Sequence, residues 1–133
     1  MTFLELTLYG DPVSKGRPRM GPNGHAYTPE RTRAAERAAT AQLQNAMVDR
    51  EPTSAPVGLA VEFYCATRRR TDGDNLLKLV TDAMNGVVFE DDFLVEEWFV
   101  RVVRGVGKKD ARTEVTVYEL ATDDLPDGSP PNG

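Results

Sequence analysis

Residues 57–92 read VGLAVEFYCATRRRTDGDNLLKLVTDAMNGVVFEDD, and the succession of patterns in them decides the fold. Val57, Leu59, Val61, Phe63 and Cys65 recur at every second position, the period of a strand. From about Asp74 to Met84 the period lengthens. Leu76, Leu77, Val80, Ala83 and Met84 fall on one face of a helix, and Asn85-Gly86 supplies its stop. A strand that leads directly into an amphipathic helix predicts a sheet carrying helices, with this strand near its centre.

On the N-terminal side, Leu4, Leu6 and Leu8 alternate with Glu5 and Thr7, a half-buried strand over Phe3–Tyr9 that Gly10-Asp11-Pro12 ends. Residues 14–29, SKGRPRMGPNGHAYTP, hold too much Gly and Pro for a helix and too much basic charge for a core. They predict a loop or irregular hairpin with Asn23-Gly24 at its tip. Thr28 as N-cap and Pro29 at the first helical position open a helix. Its stripe of small residues (Ala35, Ala38, Ala39, Gln42, Leu43, Ala46, Met47) suits packing on a sheet. On the C-terminal side, residues 94–103 alternate, Gly105–Asp110 turns the chain and Thr113–Leu120 returns, which predicts an antiparallel hairpin. The fold expected is α+β: a mixed sheet of about four strands with two helices on one face. Residues 1–120 are expected to form a single domain, and residues 121–133, acidic and rich in Pro and Gly, a disordered tail.

The 133 residues suit one domain with a modest core. A formal net charge of −5 excludes a protein that coats nucleic acid by bulk attraction. The charge is unevenly spread, however. Lys15, Arg17, Arg19, Arg31, Arg33 and Arg37 crowd the N-terminal part, and Arg68, Arg69 and Arg70 form a second cluster. No apolar run is long enough to span a membrane, and no signal-peptide pattern opens the chain. Cys65 is the only cysteine, so an internal disulfide is excluded and a reducing, cytoplasmic setting is expected. His25 is the only histidine and sits in the basic arm, which argues against a His-based metal site or triad.

The density of carboxylates beside arginines in Arg68–Asp92 calls for a chemical reading. Asp72 and Asp74 flank one residue, and on an extended segment they would point the same way. Two adjacent carboxylates repel unless a cation lies between them. Oxygen donors with no His or Cys partner suit Mg²⁺ or Mn²⁺ and disfavour Zn²⁺. Asp91 or Asp92, brought back by the short helix and turn, would complete the set. Lys78, one turn beyond Asp74, is placed to meet a phosphate. Each motif alone has a plainer reading: Asp74 as an N-cap, Lys78 paired with Asp74 and Asp82 on a solvated helix edge, Glu90-Asp91-Asp92 as an acidic loop, the basic arm as solvated surface. A helix–loop–helix calcium site is excluded, because Leu76, Lys78 and Val80 stand at its later ligand positions and the closing Glu is missing. The conjunction of phosphate-gripping bases with hard-metal carboxylates points to a divalent-metal site that cuts a DNA backbone.

Two blocks carry a family resemblance. The first is Gly10-x-Pro12-x-Ser14-Lys15-Gly16-Arg17-Pro18-Arg19, continuing to Tyr27-Thr28-Pro29. The second is Asp72-x-Asp74-Asn75-Leu76-x-Lys78, then Asp82-Ala83-Met84-Asn85-Gly86, then Asp91-Asp92. In these the chain resembles the RusA-type Holliday junction resolvases of bacteria, their phages and prophages. The resemblance implies an Mg²⁺-dependent homodimer that binds four-way DNA junctions and nicks two opposing strands symmetrically. It maps essential carboxylates onto Asp72, Asp74 and Asp92 and an essential lysine onto Lys78. Asp91 and Asp82 become supporting groups, and Lys15, Arg17, Arg19, Tyr27, Arg31, Arg68, Arg69 and Arg70 become DNA contacts. Phe93 and Leu94 depart from the small or polar residue and Gln that often follow the Asp pair. Two other functions stay open at this stage: a metal nuclease acting on a flap, fork or packaging intermediate, and a junction-binding protein without catalysis.

Overall fold

A computed structural model describes residues 1–16 and 19–121. Arg17 and the stretch expected as a disordered tail, apart from its first residue Ala121, lie outside the described residues. The elements run β1 (Thr2–Tyr9), β2 (Arg19–Met20), β3 (Ala26–Tyr27), α1 (Glu30–Ala46), β4 (Val57–Cys65), α2 (Gly73–Met84), a single 3₁₀ turn (Asp92–Leu94), β5 (Val95–Arg104) and β6 (Arg112–Glu119). The fold is α+β, as the sequence patterns predict.

Four strands form one sheet in the order β1-β6-β4-β5. β4 pairs with β6 antiparallel and with β5 parallel, so it lies inside the sheet. Its alternate residues Val57, Leu59, Val61 and Phe63 are fully buried, beside Val115 and Val117 of β6. Against this face pack Ala39 and Leu43 of α1 and Leu76, Leu79, Val80 and Ala83 of α2. The other face carries Glu62, Tyr64, Glu114 and Thr116, none of them buried. Hydrophobic burial on one face only fixes the register of every strand, because a one-residue slip would turn the apolar set outward.

The basic arm closes as the small hairpin β2–β3, Arg19 opposite Tyr27, with Gly24 at φ +80° in the turn. The left-handed backbone there explains the Asn-Gly tip. α1 begins one residue later than predicted. Pro29, held extended at ψ 143°, is its N-cap, makes no side-chain cap bond, and leaves Glu30 as the first helical residue.

The predicted β5–β6 hairpin does not form. β4, α2 and β5 make a parallel strand–helix–strand crossover, and β6 pairs between β1 and β4. The reason lies in the connection. The N–H groups of Gly105, Val106 and Gly107 donate to the carbonyls of Thr67, Cys65 and Ala66, so the chain crosses the end of β4 and returns on its far side. Gly105 at φ +77° and Gly107 at φ +90° permit that path. β5 is thereby left as an edge strand.

Candidate active site

The site is built at the N-terminus of α2, where the parallel strands β4 and β5 end. Asp72 is the helix N-cap, and its Oδ1 accepts from the Asp74 N–H at 3.1 Å. Asp74 already lies in the first helical turn, so the extended alternation expected for the pair does not apply. What holds the two carboxylates together is the capping bond, and the cap is Asp72, not Asp74. Both are exposed, and their negative charge suits the positive end of the helix. Lys78 follows one turn on, exposed and in no ion pair among the described residues.

Arg104, at the end of β5, fixes the segment leading into Asp72. Its guanidinium donates to Thr71 Oγ1 at 2.6 Å, to the Thr71 carbonyl at 2.7 Å and to the Arg69 carbonyl at 3.3 Å. The fork geometry of a guanidinium allows one side chain to satisfy three acceptors at once. Nothing in the linear pattern marks Arg104 as part of the site, since it reads as one more residue of an alternating strand.

Beside this segment opens a polar cleft of about 390 Å³ lined by Arg31, Arg69 and Arg70 together with Ser14, Thr67 and Thr71. The start of the arm, the start of α1 and the arginine run, far apart in the chain, thus meet in one concavity. Thr71 is part of its wall, so the cleft adjoins Asp72. Arg68 lies over Gly105, where an added Cβ would come within 3.1 Å of its Cγ. Tyr27 is exposed on the hairpin. The structure places the backbone of Arg19 in β2; its side chain, like Arg17, lies outside the described parts.

Lys15 faces elsewhere. Its Nζ donates to Asp82 Oδ2 and lies 3.6 Å from Glu36, and its N–H donates to the Asn75 carbonyl. The Asp82 bond, ahead of desolvation that opposes it, raises the Lys15 pKa above its usual value. Lys15 and Asp82 therefore tie the arm to α2, and Lys78 does not share Asp82.

Asp91 and Asp92 sit at the opposite end of α2. The Asp92 N–H donates to Oδ1 of Asn85, the C-cap of the helix, at 3.1 Å. Asp91 caps the 3₁₀ turn by accepting from the Phe93 N–H. That bond and a hydrogen bond shared with the Asp92 carboxyl hold Asp91 below the usual carboxylate range. The same shared bond, then desolvation and the charges of Asp91 and Asp82, hold Asp92 above it. α2 has 12 residues, a length of about 18 Å. One chain alone therefore does not bring Asp92 back to Asp72 and Asp74 as expected. Among the described residues no three of His, Cys, Asp and Glu converge closely enough to hold a metal ion. The donor chemistry suits a hard divalent cation, but within a single chain only the Asp72–Asp74 pair is offered to it.

The model of the endodeoxyribonuclease RusA family matches residues 9–118. The chain belongs to the RusA family. The crossover junction endodeoxyribonuclease RusA of Shigella sonnei (strain Ss046) is 32% identical over 111 residues, 83% of each chain. The protein of the same name from Escherichia coli (strain K12) matches with the same identity and coverage. The family match runs from the end of β1 through the arm, both helices and the strands β4, β5 and β6, so it includes the acidic pair, the cleft and the Asp91–Asp92 turn.

Proposed function

We propose that this chain is a metal-dependent endodeoxyribonuclease of branched DNA that resolves four-way junctions by paired nicks, acting as a homodimer in the cytoplasm. The observation that carries this reading is the junction of the Arg31–Arg69–Arg70 cleft with the Asp72–Asp74 pair through Thr71. Family membership supplies the substrate class, since the relatives are named for crossover junctions.

Roles follow from placement. Arg31, Arg69 and Arg70 grip backbone phosphates without reading sequence. Arg104 holds the Arg69–Thr71 segment in the shape that presents them. Lys78, exposed beside Asp74, meets the negative charge that develops on the scissile phosphate. Asp72 and Asp74 hold the cation, for which magnesium, or manganese in its place, fits the all-oxygen donors. Held there, it would supply polarisation of the phosphodiester and a lowered pKa for an attacking water. Asp92, with Asp91 beside it, is the third carboxylate and comes from the second copy of the homodimer, since one chain holds it at the far end of α2 from Asp72.

The test is cleavage of a synthetic four-way junction with and without Mg²⁺, beside flap, fork and linear duplex substrates. The expected outcome is Mg²⁺-dependent, symmetric nicking of the junction that Asp74→Asn abolishes while junction binding persists. Preferred cleavage of a flap or fork would move the assignment to another branched substrate, and full activity of Asp74→Asn would overturn the metal role.

A further inference from the structure

We infer that Lys15 is a positioning residue for junction binding: by holding Asp82 and Glu36 it sets the Asp11–Gly16 stem of the arm as a wall of the arginine cleft, and its own ammonium meets no phosphate. This rests on the cleft as the DNA site, as proposed above, and says what gives that cleft its shape.

The first observation is the direction of the Lys15 side chain. Pro12, Val13, Ser14 and Gly16 line the cleft that holds Arg31, Arg69 and Arg70, and Lys15, between Ser14 and Gly16, does not. Its Nζ turns instead to the helices. It donates to Asp82 Oδ2 of α2 and lies 3.6 Å from Glu36 Oε1 of α1. The side chains of Lys15, Asp82 and Glu36 are only 27%, 31% and 32% exposed, so water and salt screen them less than a surface pair. A phosphate reaches this ammonium only by displacing two carboxylates that repel it.

The second observation is how the stem is bound around that ion pair. Asp11 Oδ1 accepts from the Ala66 N–H at 2.9 Å, just past the end of β4. The Lys15 N–H donates at 2.9 Å to the carbonyl of Asn75, the residue after Asp74 in the first turn of α2. The Gly16 N–H donates at 3.2 Å to Oγ1 of Thr32, which is buried in α1 beside Arg31. A Cβ at residue 16 would press on that oxygen at 3.3 Å, so glycine lets the stem lie against the helix. Lys15 thus grips α2 twice, by its backbone in the first turn and by its side chain two turns on. Of these contacts only the Lys15 ammonium bridges both helices.

The third observation is that the hairpin depends on this stem. Among the described residues the backbone of β2 and β3 hydrogen-bonds only within the hairpin. Its place is set by the stem on one side and by Pro29, at the start of α1, on the other. Without the ammonium the stem loses its side-chain hold on both helices, and the cleft wall shifts together with the hairpin. Arg69 stays, because Arg104 holds its carbonyl independently.

Anisotropy of a fluorescent four-way junction in EDTA, read at several salt concentrations, tests this. Lys15→Met and Asp82→Leu should each weaken binding about tenfold, the equivalent of one charge-assisted hydrogen bond, with the double variant no weaker than the weaker single. The exchange Lys15→Glu/Asp82→Lys should recover most of the loss. The slope of log affinity against log salt should stay as in the wild type, because no phosphate contact is removed. A direct phosphate contact predicts the opposite. Lys15→Met would then flatten the slope by about 0.7–0.9, and Asp82→Leu, which frees the ammonium and removes a negative charge, would tighten binding. Either result overturns the inference, as do losses that add in the double variant. The exchange keeps both charges and so covers the case of a single variant that fails to fold: an exchange folded by circular dichroism that still binds about tenfold weaker than the wild type also overturns it. Arg69→Ala/Arg70→Ala separates the two levels of failure. Wild-type affinity in Lys15→Met and Asp82→Leu overturns the inference alone where the arginine variant loses the junction. Where the arginine variant also binds as wild type, the cleft reading falls and the inference falls with it.

Discussion

Asp72 carries two tasks that a single substitution can separate. Its side chain caps α2, and its charge is half of the acidic pair. Asparagine caps a helix about as well as aspartate, whereas alanine at an N-cap costs about 0.5–2 kcal/mol. Asp72→Asn is therefore expected to unfold in urea at the wild-type midpoint and to bind a junction while cleaving none. Asp72→Ala should lose cleavage and also shift the midpoint down. Equal midpoints for the two variants would contradict the capping role. The Asp91–Asp92 pair makes a second prediction at this scale. Asp92 is held above the usual carboxylate range chiefly by the hydrogen bond it shares with Asp91. Asp91→Asn removes a neighbouring negative charge and leaves an amide able to donate, so the Asp92 carboxyl should titrate at lower pH. A carboxyl-carbon NMR titration reads this directly, and an unchanged or raised Asp92 value would count against the shared bond. The candidate residues themselves were legible in the sequence because carboxylates, lysine and arginine announce their chemistry. Their grouping was not, since nothing in one dimension says that Asp92 returns to the far end of the helix and not to its start.

At the scale of elements, the strands and helices followed from their periods, and the pairing of β5 did not. Neighbouring alternating segments joined by a Gly-containing turn commonly pair, so β5 and β6 look like a hairpin in the sequence. Gly105, Val106 and Gly107 instead carry the chain over the end of β4 through bonds to Thr67, Cys65 and Ala66, and those contacts depend on residues far upstream in the chain. The same crossover puts Arg104 where it can hold Thr71. Arg104→Met keeps the length of the side chain and removes all three hydrogen bonds to the Arg69–Thr71 segment. Helix and strand content should stay as in the wild type by circular dichroism, because the sheet ladder does not use the guanidinium. Junction affinity should fall about tenfold, the equivalent of roughly one charge-assisted hydrogen bond. Wild-type affinity in this variant would mean that the segment keeps its shape without the clamp.

Over the whole molecule the formal charge is −5, and the open face of the sheet adds Glu5, Glu62 and Glu114 around one shallow concavity. On the proposed reading DNA is held at the cleft of Arg31, Arg69 and Arg70, against the repulsion of the net negative charge of the chain. This distribution makes a quantitative prediction about salt. Each phosphate neutralised contributes about −0.7 to −0.9 to the slope of log affinity against log salt concentration. Three cleft arginines then give a slope of about −2 to −3 per protomer, well short of proteins that bind DNA along a broad basic face. Arg69→Ala/Arg70→Ala should flatten the slope by about 1.5–2 per protomer and weaken junction binding in 50 mM salt far more than in 200 mM. Alanine at Arg33 and Arg37, whose guanidinium groups lie by Glu30 at 3.9 and 2.8 Å, should leave the slope within experimental error. A steep slope that persists in the Arg69/Arg70 variant would move the main DNA contact away from the cleft, to the β2–β3 hairpin that carries Arg19 and Tyr27.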